Sequence, residues 1–240
     1  SPIYRHSFII LILYTITVLA GTHVVGFLWA WLLDRPIKGE EVFRSIFLFP
    51  MAVSFVASGV VWRWLLNSAQ GESASGLNRL FEMTGLRFLE NSWTQNTTWG
   101  ILAIALPAVW QLAGYVMALF LAGFRGIPDD LREAARVDGA GMLRTYVSVV
   151  LPISVPSFVV VLIWQFTSAW NDFLFALFFG GGAQSGPVTL ALNNLAHGSI
   201  LADYGASMSG ALIASVPTLA VYILLGKYFV GGLMAGSVKG

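Results

Sequence analysis

Residues 127–152 gather Asp129, Asp130, Arg132, Glu133, Arg136 and Asp138 around the pair Ala134-Ala135, with Gly139 and Gly141 behind it and Leu151-Pro152 beyond. These residue types suit docking rather than bond-making. Ala134 and Ala135 leave one face with almost no side chain, so a partner can approach the backbone closely, and Glu133, Arg132 and Arg136 stand beside that face as charged grips. Pro128 followed by Asp129 and Asp130 has the chemistry of a helix start, with acidic groups at the positive end of the helix dipole. A helix over about 129–138 is predicted, stopped by Gly139 and Gly141. A second short helix, 142–150, is predicted to end at Leu151-Pro152, because proline cannot continue the hydrogen-bond ladder. An amphipathic helix lying at a lipid interface fits the composition equally well.

A second group of polar residues lies in apolar sequence. Gln165, Ser168 and Asp172 fall at i, i+3 and i+7, with Trp164 and Asn171 flanking them. Gln111 and Tyr115 are one turn apart beside Trp110 and Gly114, and Ser54 and Ser58 repeat the spacing with smaller groups. A carboxylate such as Asp172 inside a membrane span is costly, so it lines a cavity or pairs. Hydrogen bonding between helices is the competing reading, equal in weight for the glutamines and ahead for the serines.

Other chemistries are excluded or disfavoured. The chain has no Cys, which removes disulfides, thiolate metal sites and thiol nucleophiles. His6, His23 and His197 are far apart, so no metal site is expected; His23 reads as a packed neutral side chain. Gly180-Gly181-Gly182 and Gly226-Lys227-Tyr228 lack the Gly-Lys-Ser or Gly-Lys-Thr of a phosphate loop, so no nucleotide or other cofactor is expected on this chain. No nucleophile, base and metal constellation appears, which argues against an enzyme. A net charge of +1 gives no basis for binding nucleic acid.

The elements that must position these groups are membrane helices. Hydrophobic residues make up 57% of the 240, charged residues only 10%, and the mean hydropathy is +0.75, against about 25% charged residues in soluble domains. Five stretches are long enough to cross a bilayer as helices: 8–33, 45–66, 98–124, 155–179 and 206–229. Polar stretches 67–97 and 180–204 lie between them on one side, the former with a short amphipathic helix at 77–83. Trp62-Arg63-Trp64 reads as an interfacial anchor. Arg35, Lys38, Arg44, Arg125, Arg132, Arg136, Arg144, Lys227 and Lys239 fall on the other side, which the positive-inside rule makes cytoplasmic. The loop 125–152 and the C-terminus then face the cytosol. An outside N-terminus implies a sixth helix upstream; an uncleaved signal anchor at 8–33 is the alternative.

Here the residues carry a resemblance. Glu133-Ala134-Ala135, then Gly139, Val149, Leu151 and Pro152, is similar at seven positions over 20 residues to the cytoplasmic loop of permease subunits of binding-protein-dependent ATP-binding-cassette importers. Val149 stands where that family more often has Ile. The likeness extends over most of the chain and is closest to carbohydrate-uptake permeases of the maltose, trehalose, glucose and glycerol-phosphate type. Residues 44–50, 62–64 and 111–119 look like one of the two paralogous subunits of such importers, and 171–173, 188–191 and 231–240 look like the other.

The resemblance implies an all-α, polytopic membrane helix bundle whose residues 125–152 form a coupling helix in a groove of a cytoplasmic ATPase. Glu133 would make a polar contact there, while Ala134, Ala135, Asp138 and Gly139 would lie in the docking segment, the small residues permitting close packing. The implied partners are a second permease subunit, two ATPase subunits holding ATP and Mg, and an extracytoplasmic solute-binding protein docked on 67–97 and 180–204. The tail 236–240 would reach between the ATPases. Sugar sites place polar groups beside aromatic faces, so Gln111, Tyr115, Trp164, Gln165, Ser168, Asn171 and Asp172 become candidates for the solute pathway. An ion-coupled transporter acting alone is the competing function, and it calls for a midplane ion site with paired carboxylates or unwound helices.

Overall fold

A computed structural model describes residues 2–95, 100–172 and 204–237, and the regular structure among them is helical. Four described helices are long and apolar enough to cross a membrane, and a bent pair passes the same test when its two halves are taken together. In chain order the helices are α1 (Pro2–Leu33), α2 (Glu40–Ala52), α3 (Phe55–Leu65), α4 (Gly76–Met83), α5 (Gly100–Arg125), α6 (Asp129–Val137), α7 (Met142–Thr145), α8 (Leu151–Trp170) and α9 (Tyr204–Ser237). The end of the fourth predicted span, 173–179, and most of the stretch 180–204 lie outside the described residues.

α5 is the axis of the bundle. Of its apolar window 61% is buried, against 28% for α1, 22% for the span leading into α8 and none for α9. Phe120 and Phe124 of α5 meet Phe27 of α1 and, from α8, Phe158 packs on Phe120 with ring centroids 4.3 Å apart. α2 lies directly on α5 at Gly114, where any Cβ would overlap the Phe47 carbonyl. Small residues let membrane helices approach this closely. Trp29 stacks on Phe47 at 4.2 Å and fixes α1 against the same turn. α9 is held to α8 by Trp170, whose ring N–H donates to the Ala214 carbonyl at 3.0 Å.

Two predicted elements are corrected. Residues 45–66 are not one straight span: α2 and α3 meet at 92°. Pro50 sits in the last turn of α2, where it lacks an N–H and its ring crowds the carbonyl four residues back. Val53 then turns extended (ψ 135°), and the chain restarts as α3. Nor does Leu151-Pro152 end a helix. Residues 146–150 form one π-helical turn, and α8 continues from Leu151 with Pro152 in its first turn. Proline is tolerated at a helix start, and the wider turn before it changes which carbonyls need a donor. The segment 142–150 therefore runs without a break into a candidate membrane span, Tyr146–Trp170.

At the opposite end of the bundle, 67–95 folds around Asn78. Its side chain is fully buried and donates to the carbonyls of Asn67 (3.3 Å), Ala69 (2.9 Å) and Asn91 (3.0 Å). Its Oδ1 accepts from the Asn91 amide at 3.1 Å and the Trp93 indole at 2.8 Å. One side chain thus closes a loop that has little regular structure beyond α4.

Candidate functional site

The docking segment is built from local signals. Asp129 and Asp130 occupy the first turn of α6, and the helix ends in a Schellman motif: Gly139 is left-handed (φ +75°) and the Ala140 amide donates to the Ala135 carbonyl at 2.9 Å. A Cβ on Gly139 would meet nothing within 4 Å in this chain, so the backbone conformation, rather than internal packing, calls for glycine. The exposed face carries Leu131, Glu133, Ala134, Val137 and Asp138, with Val137 78% exposed. Leu131, Ala134 and Val137 recur every third residue, so a small residue sits between two exposed apolar ones. Ala135 is half-buried, as is Leu151, and Pro152 is exposed at the start of α8.

Arg132 departs from its expected place. It faces inward, with Nη1 donating to Asp34 Oδ2 at 2.8 Å and Nη2 to the Phe124 carbonyl at 2.7 Å. The Arg136 side chain lies outside what the structure describes.

A cavity of about 380 Å³ opens among α1, the α2–α3 bend, α5 and α8. Trp164, Ser168, Asn171 and Asp172 line it from α8 and its end, Tyr14 and Val18 from α1, and Met51 and Phe55 from either side of the bend. The Tyr14 hydroxyl donates to Asp172 Oδ2 at 2.7 Å, meeting the requirement that an intramembrane carboxylate find a partner. Nothing in the sequence marked Tyr14, because 158 positions separate it from Asp172. Tyr115 does not reach the wall, but its ring lies 4.5 Å from that of Trp164.

The two glutamines lie elsewhere. Gln111 is fully buried and its Nε2 donates to the Val53 carbonyl at 2.8 Å, occupying an acceptor that the bend removes from the helix ladder. Gln165 is fully buried away from the lining, and its amide atoms have no hydrogen-bond partner in the described chain. The stripe on α8 is accordingly Trp164, Ser168 and Asp172, at i, i+4 and i+8, with Asn171 beside it.

Residues 8–233 match the family model described as the inner membrane component of binding-protein-dependent transport systems. The chain belongs to this family. A probable ABC transporter permease of Pyrococcus horikoshii is 31% identical over 227 residues, covering 90% of this chain and 74% of that protein. A trehalose/maltose transport system permease of Thermococcus litoralis is 30% identical, covering 85% and 68%. A xylose/arabinose import permease of Haloferax volcanii is 38% identical over 158 residues, covering 64% of this chain and 47% of its own length. Against several relatives, then, the chain spans under half of their length. Among solved structures, a bacterial ABC transporter that imports the acidic polysaccharide alginate superposes with a TM-score of 0.80 at 16% identity, covering all of this chain and 81% of that one. At that identity the match speaks for the fold.

In a permease of this family, the turn before α6 and the end of α1 form one polar joint. Arg125 Nη2 donates to the Leu33 carbonyl at 3.0 Å and to Glu40 at 2.8 Å, and Glu40 also receives Arg44 at 3.0 Å. The Tyr146 hydroxyl donates to Asp34. The carboxylate partners of Arg125, Arg132 and Tyr146 lie 85–112 positions away, beyond the reach of any local motif. At the other face, Ser58 is buried in α3 and Trp62 packs edge-on to Trp110 at 5.8 Å. His23 is bonded to the Leu19 carbonyl at 2.8 Å and packs against Phe120, a structural setting.

Proposed function

We propose that this permease forms half of the solute pathway of an ATP-driven importer for a sugar or related hydroxylated solute, and that α6 receives the motion of a cytoplasmic ATPase. The observation that carries the reading is the exposed α6 face, Leu131-Ala134-Val137 with Glu133 beside it, on a helix whose following segment runs unbroken into a membrane span. Apolar exposure on a short helix at the charged end of the bundle suits a protein groove. ATP and Mg would be held by two ATPase subunits, a second permease would complete the pathway, and a binding protein would deliver the solute to the Asn78-centred loop and residues 180–204.

The sugar class draws support from two sources. Relatives are named for trehalose/maltose and for xylose/arabinose transport. The cavity offers what a hydroxylated ring needs: the face of Trp164 beside the polar groups of Ser168, Asn171 and Asp172. Its volume lies within the range of about 300–1,000 Å³ typical of small-molecule sites. Positively charged groups crowd the α6 end of the bundle, which supports a cytosolic setting for the loop 125–152 and, with Lys227 and Lys239 in the sequence, for the C-terminus.

The test is reconstitution in proteoliposomes with the ATPase, second permease and binding protein. Uptake is expected to require ATP, and Glu133→Ala is expected to weaken ATPase attachment. Uptake driven by an ion gradient with no ATPase present would overturn the reading.

A further inference from the structure

The polar joint beneath α1 is used neither by the docking face nor by the cavity, yet it touches the elements that carry both. Asp34, one residue beyond α1, has a side chain only 3% exposed and accepts from Arg132 of α6 at 2.8 Å. It also accepts from the hydroxyl of Tyr146, the first residue of the π turn that opens into α8. Arg132 in addition caps the Phe124 carbonyl near the end of α5. A single carboxylate therefore ties α1 to α6 and to the start of α8.

Burial separates this tie from the ion pairs near it. Arg44 and Glu40 are 40% and 25% exposed, a setting in which salt bridges contribute little. The Asp34 carboxylate is shielded, and losing one partner of a buried pair leaves an uncompensated charge. Near its middle, α1 holds a second polar tie. Tyr14, 20 positions before Asp34, donates to Asp172 in the cavity wall, and 20 helical residues span about 30 Å. α1 is thus a rod bonded at its C-terminal end to α6 and, near its middle, to the cavity wall.

We propose that Asp34 is a positioning residue for coupling: it locks α6 and the start of α8 to α1, so that displacement of α6 carries α1, and with it Tyr14, relative to the solute cavity. This rests on the reading that α6 takes up an ATPase's motion. α8 then supplies one route from the docking face to the cavity, and α1 a second.

The experiment uses the full importer in proteoliposomes and reads solute moved per ATP hydrolysed, together with ATPase retention on the purified complex. Asp34→Asn is expected to keep its ATPase subunits while moving about tenfold less solute per ATP, within the usual span of coupling energies. Tyr146→Phe should give a smaller loss in the same ratio, and Glu41→Gln, an exposed carboxylate nearby, none. Because the chain has no Cys, Asp34→Cys with Arg132→Cys can be bridged by a short bis-maleimide. Bridging is expected to restore the ratio that the unbridged pair has lost. An assembled Asp34→Asn complex with the wild-type ratio would overturn the proposal, as would a bridged pair that stays uncoupled. If Asp34→Asn does not assemble, the bridged pair decides. Failure of the parent reading looks different: the unmodified permease would transport without ATP.

Discussion

Gly139 distinguishes two reasons for a glycine in the docking segment, and substitution there separates them. One reason is close packing against a partner, which disfavours any side chain in proportion to its size. The other is the left-handed cap of α6, with φ at +75° and open space around the missing Cβ. An L-residue forced into that region costs about 1–2 kcal/mol. Ala would therefore depopulate the capped end of α6 by roughly 5- to 30-fold, at about 1.4 kcal/mol per factor of ten. Asn visits this region several-fold more readily than most residues, which recovers roughly 0.6–1 kcal/mol. The cap predicts the order Gly, Asn, Ala, Val for retained function; close packing predicts Gly, Ala, then Asn and Val. The assay is the affinity of the purified permease in nanodiscs for its ATPase subunit, measured for all four variants in one lipid mixture. An Ala variant that binds more tightly than the Asn variant would refute the capping argument.

Three further outcomes follow from the geometry. Gly114→Ala places a methyl on the Phe47 carbonyl, so α2 must move off α5, and thermal unfolding in detergent should report a loss of about 1–3 kcal/mol. Asn78→Asp keeps an acceptor for Asn91 and Trp93 but replaces the two N–H donors shared among three carbonyls with lone pairs facing them; at about 0.5–1.5 kcal/mol per donor, limited proteolysis should cut within 67–95 at lower urea than in wild type. Tyr14→Phe removes the hydroxyl bonded to Asp172, and a loss of about 1.5 kcal/mol or more should raise the solute concentration for half-maximal uptake by tenfold or above.

Legibility in the sequence followed the range of the interaction. α6 could be placed to within a residue or two because its determinants are neighbours: Pro128, Asp129 and Asp130 at one end and Gly139 at the other. Four of the five predicted spans match helices long and apolar enough to cross a bilayer, because that is a matter of length and apolarity within one segment. The bend was not legible, although Pro50 stands in plain view, because membrane helices often absorb a proline. What decides the matter here is a donor for the freed Val53 carbonyl, and Gln111 supplies it from 58 positions away. Pro152 is opaque for a related reason: it would stop a strict α-helical ladder, whereas the π turn before it lets the chain pass through.

The same distinction bears on what a motif can report. The face that would receive power is written in about ten consecutive residues, so a local motif can report it. The route from that face to the cavity runs through Asp34, Arg132, Tyr146, Tyr14 and Asp172, each meeting its partner across 98 positions or more. Proteins can share the Glu-Ala-Ala face while wiring it to the pore through different pairs. A local motif therefore points to the proposed docking helix and leaves the wiring to be tested residue by residue, beginning at the one carboxylate where α1, α6 and the turn before α8 meet.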